Sequence, residues 1–532
     1  MRYAARRLGV TIAPNPQQFS VDADFRPHAV IIGAGFGGLA AAVRLGARGY
    51  RVTVVDRLNG PGGRGRGFQQ DGFTFDAGPT IVTAPHTFEE LWGLCGKRMS
   101  DHVPLAPVDP FYRIMFADGS TFEASQDTEA VRAQVAKLSP GDLAGWDRFM
   151  ARSESNLREV YERIQHVPFR SIWDMSIAMG GLARLEAYHS VYGLAARFVK
   201  DERLRQVLSF HPLFIGGNPF AVSAFYSVIP QLEKTWGVHF AMGGTSKLAD
   251  GLADLIREQG GVLRFRQDVR EIMVEGGRAT GIRLTSGETI DADIVVSNAD
   301  SAFTYGRLLP AHVRRRRWSD RKLERARYSM SLFIWYFGTD RQWPEVQPHT
   351  ILMGPRYKEL IKDIFERKVL ASDFSLYLYR PTAMDPSMAP KGCDSFYVLS
   401  PVPNLQGDTD WTAAAEPYRR AIEDSLATKL LPGLKGSVAT SRVVTPLHFR
   451  DTLLSPHGAG FGLEPVMSQS AYFRPQSCSE DIDGLYLVGA GTHPGAGLPA
   501  VLASATILDK VVPDAGQLAR NGHQFLRGGG VF

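Results

Sequence analysis

Residues 28–57, HAVIIGAGFGGLAAAVRLGARGYRVTVVDR, constrain the fold more than any other stretch of this chain. Residues 29–32 read as a buried strand. Leu39, Ala42, Val43 and Gly46 then follow helical spacing, with Arg44 and Arg48 pointing elsewhere. Gly49 is placed to end that helix in a left-handed cap. Residues 51–55 form a second apolar, β-branched strand, as a parallel strand covered on both faces requires. Between the first strand and the helix stands Gly33-Ala34-Gly35-Phe36-Gly37-Gly38, a GxGxxG turn. Gly33 permits the tight turn, Gly35 lets backbone approach a pyrophosphate, and Gly38 lets helix and strand pack closely. An anion then sits at the positive end of the helix. Asp56 ends the second strand, where a carboxylate accepts hydrogen bonds from ribose hydroxyls. Strand, turn, helix and terminal acid together predict a dinucleotide site.

Two further glycine turns sharpen this. Gly62-Gly63-Arg64 follows Asp56 closely; its glycines allow another backbone approach, and Arg64 can neutralise phosphate. Near the far end, residues 489–497 read GAGTHPGAG, between an apolar run at 485–488 and a helix-like run at 498–512. This is a second strand–turn–helix unit whose bare backbone N–H groups can come close to a ligand. In between, residues 243–299 read as a turn, an amphipathic helix with a stripe of Leu248, Leu252 and Leu255, and strands at 262–265, 271–274, 279–284 and 294–296. Residues 331–337 and 396–402 read as strands of a separate sheet, and 142–232 as long helix-compatible stretches rich in aromatics.

The pattern GxGxxG, then an acid, then GGR resembles the large glutathione-reductase-like flavoprotein group, and the resemblance implies FAD. It also implies that Val269 meets the adenine through its backbone, and that the turn with Gly489, Gly491 and Thr492 touches ribitol and isoalloxazine. Many relatives carry an acid in that turn; here backbone and Thr492 have to serve. Only one GxGxxG unit is present, so a second nucleotide is not expected.

A finer resemblance covers about residues 28–515. YLVGAGTHPGAGLPAV (486–501), FTFDAGPT (73–80), FHPLFIGGNPF (210–220), SNAD (297–300), HTILMGPRYKELIKDIF (349–365) and EPVMSQSAYFRP (464–475) are similar to bacterial-type phytoene desaturases. The resemblance implies FAD-dependent desaturation of phytoene and related C40 carotenes to neurosporene or lycopene, with oxygen or a quinone as electron acceptor. Two other readings stand beside it: a later-step carotenoid desaturase or carotene isomerase, and a non-enzymatic lipid carrier on the same scaffold. For the proton that must leave the substrate, Asp174 in FRSIWDM is a candidate base or cation stabiliser. Where the family pattern has an arginine three residues later, this chain has Ile177. His493, beside the presumed flavin turn, is the second catalytic candidate; His211, His349 and Glu464 are weaker ones.

The expected fold is therefore α/β. A Rossmann-like FAD-binding domain is built from 27–95, 235–310 and 478–515. A β-sheet substrate domain takes 96–140 and 311–477, and a helical membrane-associating and tunnel region takes 141–234. Residues 1–26 and 516–532 are expected to be loose ends. A net charge of +5 fits, without requiring, an anionic lipid surface. The run 314–327, RRRRWSDRKLERAR, reads either as a solvated face or as a lipid contact helped by Trp318. No nucleic-acid fold signature accompanies the charge, and Cys95, Cys393 and Cys478 show no metal spacing. No run of about 18 apolar residues is present, so no transmembrane helix is expected. The expected place is the cytoplasmic side of the cell membrane, held peripherally, with self-association left open.

Overall fold

A computed structural model of the chain describes residues 26–518, except 164, 170, 172, 176–185, 315 and 316. The expected N-terminal extension up to residue 25, the tail beyond 518 and Ile177 lie outside the described residues.

The opening motif folds as its pattern requires: β1 (His28–Ile32), α1 (Phe36–Ala47) and β2 (Arg51–Val55). Gly49 follows α1 with φ +88°. Further along the chain come α2 (His86–Leu94), α3 (Ser246–Glu258), β3 (Val262–Arg264), β4 (Ile294–Ser297), β5 (Leu485–Leu487) and α4 (Leu498–Asp509). The five strands form one parallel sheet in the order β3-β2-β1-β4-β5. Every residue of β1 and β4 is buried, because helices and the neighbouring small sheet cover both faces. With β1 at the centre and β4 on the other side from β2, the chain reverses its winding there. The carboxyl ends of β1 and β4 open a crevice, the place where sheets of this kind bind ligands.

Arg44, off the apolar stripe of α1, is nonetheless buried: it is 4% exposed and lies between Glu90 (2.9 Å) and Asp509 (2.9 Å). The reason is that α1 packs against both α2 and α4, so it has no free face, and two carboxylates from those helices neutralise the guanidinium.

The second large element is a seven-stranded sheet. Its order is Val438–Val444, Ser331–Thr339, Asp394–Val402, Leu376–Tyr379, His349–Leu352, Tyr112–Met115, Thr121–Ala124. All neighbours are antiparallel except His349–Leu352 with Tyr112–Met115. Alternation along each strand splits the side chains between two cores. Phe333, Trp335, Phe337, Phe396 and Val398 face the helix Trp411–Lys429. Ile334, Tyr336, Ile351, Tyr377, Tyr379 and Tyr397 face an aromatic core shared with Phe75 and Phe210.

The helix-compatible middle is more broken than its composition suggested. Among the described residues, Leu143–Arg163 is followed by the α-helices Val191–Phe198, Glu202–Ser209 and Ile229–Trp236, with 3-10 turns at His211–Ile215 and Ala224–Val228. Pro212, Gly216, Gly217 and Pro219 interrupt the run, since proline removes a donor and glycine favours turn conformations. Among the described residues no helix is long and apolar enough to cross a membrane.

The basic run is also largely tied down. Arg314 pairs with Asp320 (2.6 Å), Arg317 with Glu480 (3.2 Å) and Arg327 with Glu464 (2.8 Å). Trp318 is not available to lipid. It is buried, donates to Glu480 (3.2 Å), stacks on Tyr305 (5.7 Å between centroids) and is covered by the Lys322 ammonium at 4.0 Å. Period and charge alone did not reveal that Glu480 gathers Arg317 and Trp318, or that the buried Glu464 holds Arg327.

Candidate cofactor and active site

Three glycine turns meet at the carboxyl ends of β1 and β4. In the first, Gly33 has φ +96°, which favours glycine, and its N–H donates to the Val55 carbonyl (2.7 Å). A Cβ on Gly38 would collide with the Gly33 carbonyl, so helix and strand are at closest approach there. Asp56, at the end of β2, accepts N–H bonds from Ala34 (2.7 Å) and Leu58 (2.7 Å). Burial pushes its carboxyl up, and those two N–H bonds oppose the shift. Each oxygen has one such bond and keeps a lone pair for a further donor such as a hydroxyl.

The second turn leans on the first. The Gly62 N–H donates to the Ala34 carbonyl (2.8 Å), and a Cβ on Gly63 would sit 3.2 Å from Gly35 Cα. Gly78 presses on the Arg64 carbonyl from the other side, so the 77–80 loop rests on this turn. The Arg64 side chain donates from Nη2 to Ser455 Oγ (2.6 Å) and stands 3.8 Å from Asp300 Oδ2. Its buried Nε has no hydrogen-bond partner within the chain.

The third turn closes the group. Gly489 (φ +92°) backs onto Gly37, and its N–H donates to Ser504 Oγ (2.8 Å) in the middle of α4. The Gly491 carbonyl accepts from Ser301 Oγ (3.0 Å), and Gly491 is packed so closely on Ser301 that a Cβ would lie 2.6 Å from that oxygen. Thr492 does not offer its hydroxyl outward: it is buried, and Oγ1 turns back to the Val488 carbonyl (3.5 Å). The donors this turn can present are therefore backbone ones. His493 is buried with its ring edge-on to Phe169 (centroids 5.0 Å), and its N–H donates to the Pro475 carbonyl (2.9 Å).

Two residues of this site were not singled out from the sequence. Asn298, just past β4, stands between the first and third turns: Cβ atoms on Gly35 or Gly37 would strike its amide, and so would one on Gly489. Its Nδ2 donates weakly to the Gly33 carbonyl (3.4 Å). It lay in the SNAD stretch, and its position at the carboxyl end of a central strand was the available signal. Arg474 is 1% exposed, and its Nη2 donates to the Ala490 carbonyl (2.7 Å) inside the third turn. Nothing local marks an arginine in AYFRP as buried.

The remaining candidates are placed as follows. Val269 opens the strand Val269–Glu275. It lies just after Gln267, whose N–H donates to the Asp56 carbonyl (2.9 Å), so it is beside the acid of the first unit. Asp174 is half-buried and accepts from the Ser171 N–H (2.8 Å). His349 is fully buried in the aromatic core; Nδ1 meets Tyr377 Oη (2.7 Å), and Tyr377 Oη meets Thr80 Oγ1 (2.5 Å). Burial pushes the His349 imidazole down to about 3, so it is neutral. His211 shares Tyr112 Oη (2.9 Å) with Glu233 (2.9 Å) in the same core, away from the glycine turns in sequence and sheet. Glu464 is held by Arg327 at the base of that region.

A flavin dinucleotide fits these residues. The crevice offers backbone N–H groups at three turns, a carboxylate at Asp56, and buried guanidinium atoms of Arg64 and Arg474 that no residue satisfies. Buried polar groups of this kind are rarely left unpaired.

Comparison with known proteins decides the family. Residues 36–507 match the model of the flavin-containing amine oxidoreductases. The neurosporene-forming phytoene desaturase of Cereibacter sphaeroides is 50% identical over 504 residues, covering 94% of this chain and 96% of the relative. The chain belongs to the phytoene desaturase family. A lycopene-forming member from Pseudescherichia vulneris is 46% identical over 478 residues, covering 90% and 97%. Solved structures share the fold of this desaturase-family chain at low identity. An oxidoreductase from Methanosarcina mazei superposes with a TM-score of 0.59 at 19% identity, covering 90% of this chain and 99% of that one. Cyclohexylamine oxidase from Brevibacterium oxydans does so with 0.59 at 14%, covering 94% and 100%.

Proposed function

We propose that the chain is an FAD-dependent phytoene desaturase that forms neurosporene or lycopene. The observation that carries the reading is the packing of the first and third glycine turns against Asn298, with the second turn against Gly35, in a chain half-identical over nearly its whole length to a neurosporene-forming desaturase. Asp56 would hold the ribose, Val269 the adenine through its backbone, and the turn at Gly35, shaped by Gly33 and Gly38, the pyrophosphate with Arg64 nearby. The turn at Gly489, Gly491 and Thr492 would meet the isoalloxazine end. When bound, FAD supplies a two-electron acceptor for a hydride from an allylic C–H.

The chain's own part is to position an uncharged polyene and to move a proton. The aromatic face formed by Phe210, Phe214, Tyr336, Tyr377 and Tyr397 adjoins the 77–80 loop through the Thr80–Tyr377 bond, and supplies an apolar wall for such a substrate. The Tyr377 hydroxyl is engaged by Thr80 and His349, and the Tyr336 hydroxyl donates to the Ala77 carbonyl, which keeps these groups turned from a hydrocarbon. Asp174 is the acid we assign to the leaving proton. Its Ser171 N–H bond orients the carboxylate. His493, buried in the third turn, would hold that turn's shape against Phe169.

The substrate is bilayer-soluble. Trp173 is 75% exposed and Tyr188 is 73% exposed, on either side of residues 176–185. Such rings favour the membrane–water boundary, and we assign this region to a peripheral contact with the cytoplasmic face of the membrane. Oxygen or a quinone would reoxidise the flavin.

Expression of the full chain in a host that makes phytoene tests the reading. A yellow or red polyene in the pigment extract is expected; colourless phytoene alone would overturn it.

A further inference from the structure

The buried charges around the third turn do not balance. Arg474 is among the most enclosed side chains of the molecule, at 1% exposure. Its guanidinium meets three backbone carbonyls, at Ala490 (2.7 Å), Leu463 (3.4 Å) and Gln469 (3.4 Å), and no carboxylate. Its Nε has no partner within the chain. The turn wraps it from both ends: Ala490 accepts its Nη2, and a Cβ on Gly495 would stand 3.8 Å from its Cζ. The nearest buried acid is Asp300, and that carboxylate already stands 3.8 Å from Arg64. Tyr226, whose hydroxyl borders Gly495 beside the guanidinium, is pushed up by burial and stays neutral.

Taking an isolated guanidinium out of water costs several kcal/mol, and carbonyl dipoles offset only part of that. A fold keeps such a charge where a negative charge develops during function, because the fixed cation then stabilises it without reorganisation. Ala490, which Arg474 grips, adjoins Gly489, and Gly489 lies against Gly37 of the dinucleotide turn. The cation is therefore one residue behind the contact between the two cofactor turns.

We propose that Arg474 is the fixed counter-charge of the reduced flavin. The inference rests on the flavin site proposed above. Desaturation breaks one C–H bond with its electron pair leaving as hydride to the flavin. The neighbouring C–H then loses its hydrogen as a proton to a base, and its electron pair becomes the new C=C bond. The flavin gains two electrons and one proton, so it ends one charge more negative. Arg474 raises the reduction potential by stabilising that anion, and Asp300 lowers it by opposing it.

The test is the two-electron midpoint potential of the purified holoprotein. It is measured by slow reduction with xanthine and xanthine oxidase beside a reference dye. R474Q, which keeps a donor and loses the charge, should disfavour reduction at least tenfold, or about 30 mV more negative for a two-electron couple. R474K should stay within about threefold of the wild type. D300N, which keeps an acceptor for the N–H groups of Ala302 and Phe303, should shift the potential the other way. D300N also serves as the test if R474Q holds no flavin. Wild-type potential in R474Q, or in D300N where R474Q is colourless, overturns the proposal. A wild-type protein that takes up no FAD overturns the flavin site itself, which is a separate failure.

Discussion

A Cβ on Gly37 would stand 2.8 Å from Gly489 Cα, although the two glycines lie near opposite ends of the chain. That contact locks the first and third turns together. We expect Gly37→Ala to force them apart, at a cost of about 1–3 kcal/mol typical of overpacking. The measurement is FAD retention by flavin absorbance after desalting. Roughly tenfold weaker binding, or loss of the yellow colour, is expected. Full retention with an unchanged melting temperature would count against the contact.

Asn298 should behave as a joint between the turns. Asn298→Ala removes its bond to the Gly33 carbonyl and the amide that fills the space beside Gly35, Gly37 and Gly489. A buried hydrogen bond of this kind contributes about 1 kcal/mol, and its loss leaves a small cavity as well. FAD affinity measured by fluorescence quenching should fall by about five- to thirtyfold with the fold intact by circular dichroism.

Asp174 gives a test of the proton's path. Asp174→Asn keeps an acceptor for the Ser171 N–H but cannot take a proton at neutral pH. Turnover of phytoene in liposomes should fall by about a hundredfold or more, while FAD content stays at the wild-type level. Wild-type turnover would remove Asp174 from the reaction.

The seven-stranded sheet contains its own stability test. Asp394 is fully buried. It accepts from Arg380 Nε (2.9 Å), from the Trp343 N–H (2.8 Å) and from Thr382 Oγ1 (2.7 Å). Asp394→Ala leaves the Arg380 charge buried without its partner, which costs about 3–5 kcal/mol. Denaturant unfolding should show that loss, whereas the Asp394→Ala, Arg380→Met double variant should recover part of it.

A pH effect follows from Asp76, which ends the strand Phe73–Asp76 just before the loop that rests on the Arg64 turn. Burial pushes its carboxyl from 3.8 up to about 6, and the Tyr379 hydroxyl bond (3.1 Å) only partly counters this. The folded value lies above the unfolded one, so the unfolded chain releases this proton first as pH rises. Stability from this group is therefore fully present below about pH 4 and is lost as pH rises through 6. A shift of about two units at 1.36 kcal/mol each corresponds to on the order of 3 kcal/mol. The difference in unfolding free energy between wild type and Asp76→Asn, followed from pH 4 to pH 7.5, should move by about that amount against the wild type. A flat difference would contradict it.

Much of the cofactor half was readable because its rules are local. A strand buried on both faces, a helix period and a turn needing positive φ each leave a signature within a few residues. This is why β1, α1, β2 and the glycines at 33, 62 and 489 stand where the pattern put them. In the helical middle, Leu143–Arg163 runs long, whereas Pro212 and the Gly216–Gly217 pair break the later stretch, whose apolar side chains complete the sheet's core.

Charged side chains tell the other half. Arg44, Arg474 and Trp318 look like surface or boundary residues in their own stretches, and each is buried. What buries them is a partner far along the chain: Glu90 and Asp509 for Arg44, the carbonyls of the third turn for Arg474, and Glu480 for Trp318. Sequence by itself set the βαβ unit, the glycine turns and the family resemblance, since these depend on backbone conformation and short-range period. The joining of the first and third turns on Asn298, and the enclosure of a guanidinium behind them, came only with long-range packing, because a side chain's environment depends on neighbours that spacing does not name.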